Sequence, residues 1–188
     1  MTVQINAKPL ADFDRPIDML VDCHRRIEHF LGVIVRVLER YASQPLDSEA
    51  RQALAAALQY FKISAPKHTA DEEQSLFPRM QSVGAITPKT NELLEQLRQD
   101  HQTADELQGR IDRILEQWLA SDDSLPADSL ATLRADLAEL KNHYAAHIHM
   151  EEEQIFPSAA KALSENQLRE MGTEMRSRRG LGNDRHGK

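Results

Sequence analysis

The residues of this 188-residue chain best equipped for chemistry fall in two short stretches. Residues 68–78 read HTADEEQSLFP and residues 147–157 read HIHMEEEQIFP. The His, the paired Glu and the Phe-Pro occupy the same offsets, 79 residues apart. Two further histidines, His24 and His101, stand 77 residues apart, and each is followed four positions later by an acid, Glu28 or Asp105. Imidazole nitrogens and carboxylate oxygens are ligand atoms for first-row transition metals. The repeat therefore supplies the donors of two related cation positions. The single cysteine, Cys23, rules out an internal disulfide and any multi-cysteine zinc site.

Donors so far apart in sequence need a scaffold that brings them together. Gly and Pro are scarce while Leu, Ala, Glu, Gln and Arg are plentiful, which favours helix over strand. Asp14 and Pro16 open a first helix to about Tyr41. Asp47 or Ser48 caps a second to about Met80, kinked at Pro66. Thr87 and Pro88 begin a third, to about Leu119. A fourth runs from about Asp128 past Glu153, with Pro157 marking its end or a bend. Ser164 caps a short fifth helix ending near Gly180. Four of these carry apolar seams with alternating steps of three and four. They are Ile17-Leu20-His24-Ile27-Leu31-Ile34-Leu38-Tyr41, Leu54-Leu58-Phe61-Ala65-His68-Glu72-Ser75, Leu94-Leu97-His101-Ala104-Gln108-Ile111-Leu115-Trp118 and Leu133-Leu137-Leu140-Tyr144-His147-Glu151-Gln154. The fold class expected is all-α: an antiparallel, up-down four-helix bundle with a short C-terminal helix. Residues 1–14 form an N-terminal arm, 15–160 the bundle, and 161–188 the C-terminal helix and a frayed tail.

Each seam contains one histidine, and two also contain a glutamate. A lone seam histidine is usually a satisfied core residue. Burying an unpaired carboxylate costs several kcal/mol, and two facing ones repel, so six such groups in one core call for a cation. On a regular helix a residue four positions on lies about 40° around the axis, and one five positions on about 140°. Glu72 thus pairs with His68, and Glu151 with His147. Glu73 and Glu152 point elsewhere, as solvated carboxylates or as partners of the imidazoles, unless a bent helix returns one of them to the metal. His29 and His149 lie off the seams and belong to the surface. The expected sharing puts His24 and His68 on one ion and His101 and His147 on the other, with Glu72 and Glu151 bridging. These donors suit iron, and manganese or zinc is possible.

The combined pattern resembles the hemerythrin-like (HHE cation-binding) family over roughly residues 15–160. That resemblance implies a non-haem di-iron site in a four-helix bundle, with His24, His68, Glu72, His101, His147 and Glu151 as ligands. Oxygen-carrying members space the last acid five residues after its His, which selects Glu152 here, whereas the seam favours Glu151. Those members also have a second His one turn after the third-helix ligand, where this chain has Asp105. The exchange removes a nitrogen ligand and leaves a carboxylate ligand or an open position. It suits peroxide, nitric oxide or oxygen chemistry, or labile iron, better than simple oxygen transport. Glu28 and Asp105 are candidate ligands or acceptors that orient imidazoles, and Tyr144, one seam step before His147, is either an ordinary core tyrosine with its hydroxyl satisfied or a residue that reaches the site.

Charge and hydropathy narrow the function classes. With 30 acidic against 23 basic residues, the net charge is −7, which disfavours a nucleic-acid or membrane-surface role. No apolar run approaches the roughly 20 residues of a membrane span, and the N-terminus lacks the pattern of a signal peptide, so a cytoplasmic location is expected. Arg176, Arg178 and Arg179 read as the positive end of a helix, complementing its dipole. The expected partner is a diatomic or peroxide ligand at a di-iron centre. The alternative is a non-enzymatic iron or oxygen sensor acting through metal-dependent stability or partner binding.

Overall fold

The computed structural model describes residues 12–83 and 86–182. Most of the expected N-terminal arm and all but the first two residues of the LGNDRHGK tail lie outside them. Among the described residues every regular element is helical. The order is α1 (Pro16–Tyr41), α2 (Ser48–Ile63), α3 (Ala65–Asp71), π1 (Glu72–Leu76), α4 (Phe77–Ser82), α5 (Pro88–Ala120), α6 (Ala127–Met150), π2 (Glu151–Ile155), α7 (Phe156–Ala162) and α8 (Glu165–Arg178). The segments α2 to α4 make one interrupted rod, and α6 to α7 another. With α1 and α5 they form a four-helix bundle in which each rod packs on its neighbours in sequence and α1 closes against α6.

The caps follow from side-chain chemistry. Asp47 accepts from the Ala50 amide at 2.8 Å, and Thr87 accepts from Thr90 at 3.1 Å. Ser164 and Gln167 complete a capping box. Asp14 has no such role: Arg15 is the N-cap of α1, and its side chain does not cap the helix. The second rod breaks at Ser64, just before Pro66. Gly180, at φ 70°, follows the end of α8.

The Phe-Pro pairs do not end their helices. Each follows a π-turn, in which the Phe77 amide bonds the Glu72 carbonyl and the Phe156 amide bonds the Glu151 carbonyl. The wide turn wraps in one extra residue. The helix then resumes with proline in its first turn, where a missing N–H is tolerated. The extra residue also moves the seam. Gln154, expected inside, is exposed, and Ile155 takes the buried place.

Two apolar clusters result. One is built around Ile34, Leu54, Ile111, Trp118 and Leu133. The other contains Leu20, Phe77, Leu97 and Ile155, together with Met171 and Met175 from α8. A layer of buried His and Glu side chains lies between them. No helix among the described residues is long and apolar enough to cross a membrane.

Candidate metal centre

Both carboxylates of the layer are fully buried. Glu72 and Glu151 each have zero exposure, and His24, His68, His101 and His147 are buried beside them. Glu72 Oε1 lies 3.4 Å from His68 Nε2 and 4.0 Å from His24 Nε2, while Glu72 Oε2 lies 3.3 Å from His101 Nε2. Glu151 Oε2 lies 3.0 Å from His24 Nε2 and 3.3 Å from His147 Nε2. Each carboxylate thus faces imidazoles from both halves of the chain. Donor atoms from His24, His68, Glu72 and Glu151 lie within 4.8 Å of one another, and so do those from Glu72, His101, His147 and Glu151. Glu72 and Glu151 belong to both groups.

The electrostatics of the layer follow from burial and from the mutual charges of its members. Burial, reinforced by Glu151, raises the pKa of Glu72 well above the carboxylate range. Burial opposes ionisation of Glu151 too, but His147 and His24 more than offset it and hold that carboxyl low. The same contacts raise His24 and His147 against the pull of burial. Burial and the neighbouring imidazoles push His68 well below its ordinary value. Burial thus favours the protonated form of Glu72, and the Glu151 carboxylate favours protons on His24 and His147. Despite this, both oxygens of Glu72 and of Glu151, and Nε2 of His24 and of His101, have no hydrogen-bond partner. Buried polar atoms left unpaired and converging from several helices are what a cation would satisfy. The donor set fits a dinuclear metal site.

The π-turns give the repeat its second half. Of the roles expected for Glu73, a solvated carboxylate or a partner of an imidazole, it takes the second: its Oε1 accepts from His101 Nδ1 at 2.8 Å. Glu152 Oε1 does the same for His24 Nδ1 at 2.9 Å, and it also receives Arg25. An Nδ1–H held by a carboxylate leaves Nε2 with its lone pair toward the centre. Phe77 stacks on the His101 ring, with centroids 6.3 Å apart, and Phe156 stacks on His24 at 5.4 Å. Each motif therefore supplies one histidine and one shared glutamate. It also supplies a glutamate and a phenylalanine that fix the histidine of a neighbouring rod.

The remaining candidates lie around this layer. Glu152 faces Nδ1 of His24 and stands outside both donor groups, as does Asp105. Asp105, with the four histidines and Tyr144, lines a cavity of about 10 Å³, room for roughly one water-sized molecule. Partial burial raises the Asp105 pKa. Burial also raises that of Tyr144. Glu28 is exposed and pairs with Arg25 at 3.8 Å, away from the layer. His29 and His149 are exposed, and Cys23 is buried. Sequence reasoning missed Asp100, whose carboxylate comes within 3.6 Å of His147 Nδ1, and Asp71, which is fully buried beside Glu72. Asp71 carries no seam signal, because its partners come from α8.

A bundle holding two buried His/Glu groups with shared carboxylates is a cation-binding architecture, and the chain belongs to the hemerythrin HHE cation binding domain family, which it matches over residues 15–159. It is also similar to an uncharacterized protein of Haemophilus influenzae, 28% identical over 179 residues, with 93% of this chain and 96% of that protein covered.

Proposed function

We propose that this chain is a non-haem di-iron protein that binds or reacts with oxygen, peroxide or nitric oxide. The observation that carries the reading is the pair of donor groups sharing Glu72 and Glu151 beside a cavity sized for one small molecule. Four imidazoles and two carboxylates suit iron, and manganese and zinc accept the same donors. His24, His68, His101 and His147 would supply nitrogens, and Glu72 and Glu151 would span both ions. An iron pair supplies electrons and Lewis acidity when bound. The protein's part is to hold the imidazoles in one orientation through Glu73 and Glu152 and to exclude bulk water with the two apolar clusters. Asp105 and Tyr144 border the space a small ligand would enter, within which a carboxyl and a phenol are the groups available for proton transfer.

A sensor reading draws on the depth of the layer. Exchanging two cations for protons between two apolar cores changes stability directly. The deciding experiment measures metal content after expression with iron, then adds peroxide, oxygen or nitric oxide to the reduced protein. Multiple turnovers favour a reaction. A single stoichiometric spectral change with a shifted melting temperature favours a sensor. Iron well below one per chain, unaltered by reconstitution, refutes both.

A further inference from the structure

The clamp on π1 comes from a helix that follows the family-matched residues 15–159. Asp71 immediately precedes Glu72 and is fully buried. Its Oδ1 accepts from Arg178 Nη1 at 2.8 Å, and its Oδ2 accepts from Arg179 Nη2 at 2.7 Å. Arg178 Nη2 also donates to Ser75 Oγ, inside π1, at 2.6 Å. Arg79 donates to the Ser75 carbonyl at 3.0 Å and forks onto Glu174 of α8 at 2.8 and 3.0 Å, while the Ser75 hydroxyl donates to the same carboxylate. These bonds tie both flanks of the π-turn to one face of α8.

That helix is itself seated firmly. Met171 and Met175 are fully buried. Gly172 lies so close to the Phe13 carbonyl that a Cβ there would come within 1.9 Å of it. Arg176 covers the Phe13 ring at 4.7 Å. The basic residues at the end of α8 therefore do more than complement a helix dipole. The second motif lacks the same device: the positions equivalent to Asp71 and Ser75 are Met150 and Gln154. The clamp thus breaks the internal symmetry, acting on the half that presents Glu72.

We propose that Arg178 and Arg179 are positioning residues of the metal centre, holding π1 through Asp71 and Ser75 so that Glu72 reaches both donor groups and Glu73 reaches His101. The inference rests on the metal reading above. Cobalt(II), whose visible bands report its coordination, is the probe. Relative to wild type, the Arg178→Ala/Arg179→Ala variant binds cobalt about 10- to 100-fold more weakly, the range for loss of groups that orient ligands, and its bands shift. Arg178→Lys keeps the cation but cannot fork between Asp71 and Ser75. It retains the helical circular-dichroism signal, shows the same direction of change, and decides the matter if the double variant does not fold. Arg110→Ala is the control for stability alone, since it breaks the distant Arg110–Asp136 pair. It leaves cobalt affinity and bands as in wild type. Unaltered cobalt binding in both α8 variants overturns the proposal, as does an equal loss in Arg110→Ala. A wild-type protein that takes up neither cobalt nor iron refutes the metal reading itself, and this inference with it.

Discussion

Replacing Glu72 by Gln separates the needs of the metal-free core from those of the metal. Glu72 is fully buried, neither oxygen has a hydrogen-bond partner, and Glu151 stands close enough to raise its pKa further. Glutamine has the same shape and carries no charge to desolvate. A carboxyl whose pKa is raised on folding opposes folding near neutral pH by about 1.4 kcal/mol for each tenfold weakening of its ionisation, a cost that glutamine does not carry. A gain of about 2 kcal/mol corresponds to a melting temperature about 4–8 °C higher in a chain of this size. The effect depends on pH in a defined direction. A carboxyl whose folded pKa is raised has its full relative stability below its unfolded value, and loses it as pH rises toward the folded value. The advantage of Glu72→Gln should therefore be small below the ordinary value of 4.5 and grow toward neutrality. Metal reverses the order. A ligand present at about 100 times its Kd stabilises the wild type by about 2.7 kcal/mol, worth about 5–11 °C, and the variant should lose most of that because a donor common to both groups is gone. Thermal melts of both proteins, with chelator and with iron or cobalt, across pH 4.5–8, provide the test. A variant less stable than wild type in chelator, or equally stabilised by metal, would refute the assignment of Glu72 as a buried carboxyl that serves a cation.

Three further outcomes follow from the same geometry. His101→Ala removes metal while the exposed His149→Ala does not, and equal loss by elemental analysis would sink the assignment. Glu73→Gln and Glu152→Gln each weaken metal binding by about 10- to 100-fold with all nitrogen donors intact; affinities equal to wild type in a cobalt titration would contradict the role of the Nδ1 hydrogen bonds. Cobalt affinity falls as pH drops from about 7.5 to about 5.5, because bound metal must displace protons from Glu72, His24 and His147, whose pKa values are all raised. A flat profile would show that the cation binds elsewhere.

How far the linear chain reveals the centre depends on the range of the forces involved. Thr87, Asp47 and Ser164 announce helix starts because a cap is a bond between residues three apart. The four seams and their histidines are legible because a regular helix returns to the same face every three or four residues. The reading lost register where the helix ceased to be regular. The angular rule set Glu73 and Glu152 apart from Glu72 and Glu151, and they meet the Nδ1 atoms of His101 and His24 outside both donor groups, but it also carried the seam to Gln154, which the π-turn leaves exposed. The clue was present as the repeated Phe-Pro, since proline after an apolar turn invites a change in the hydrogen-bond ladder.

The sequence by itself determined the all-helical bundle, the duplicated donor motif and one histidine per rod, because these are periodicities and residue types within single elements. Only the tertiary structure decided which oxygen of Glu72 faces which imidazole, how each motif braces a histidine on a neighbouring rod, and that Asp71 lies under the arginines at the end of α8 and just beyond it. Those are contacts between residues up to 128 positions apart. Their geometry is set by how the helices pack, and no local spacing encodes it.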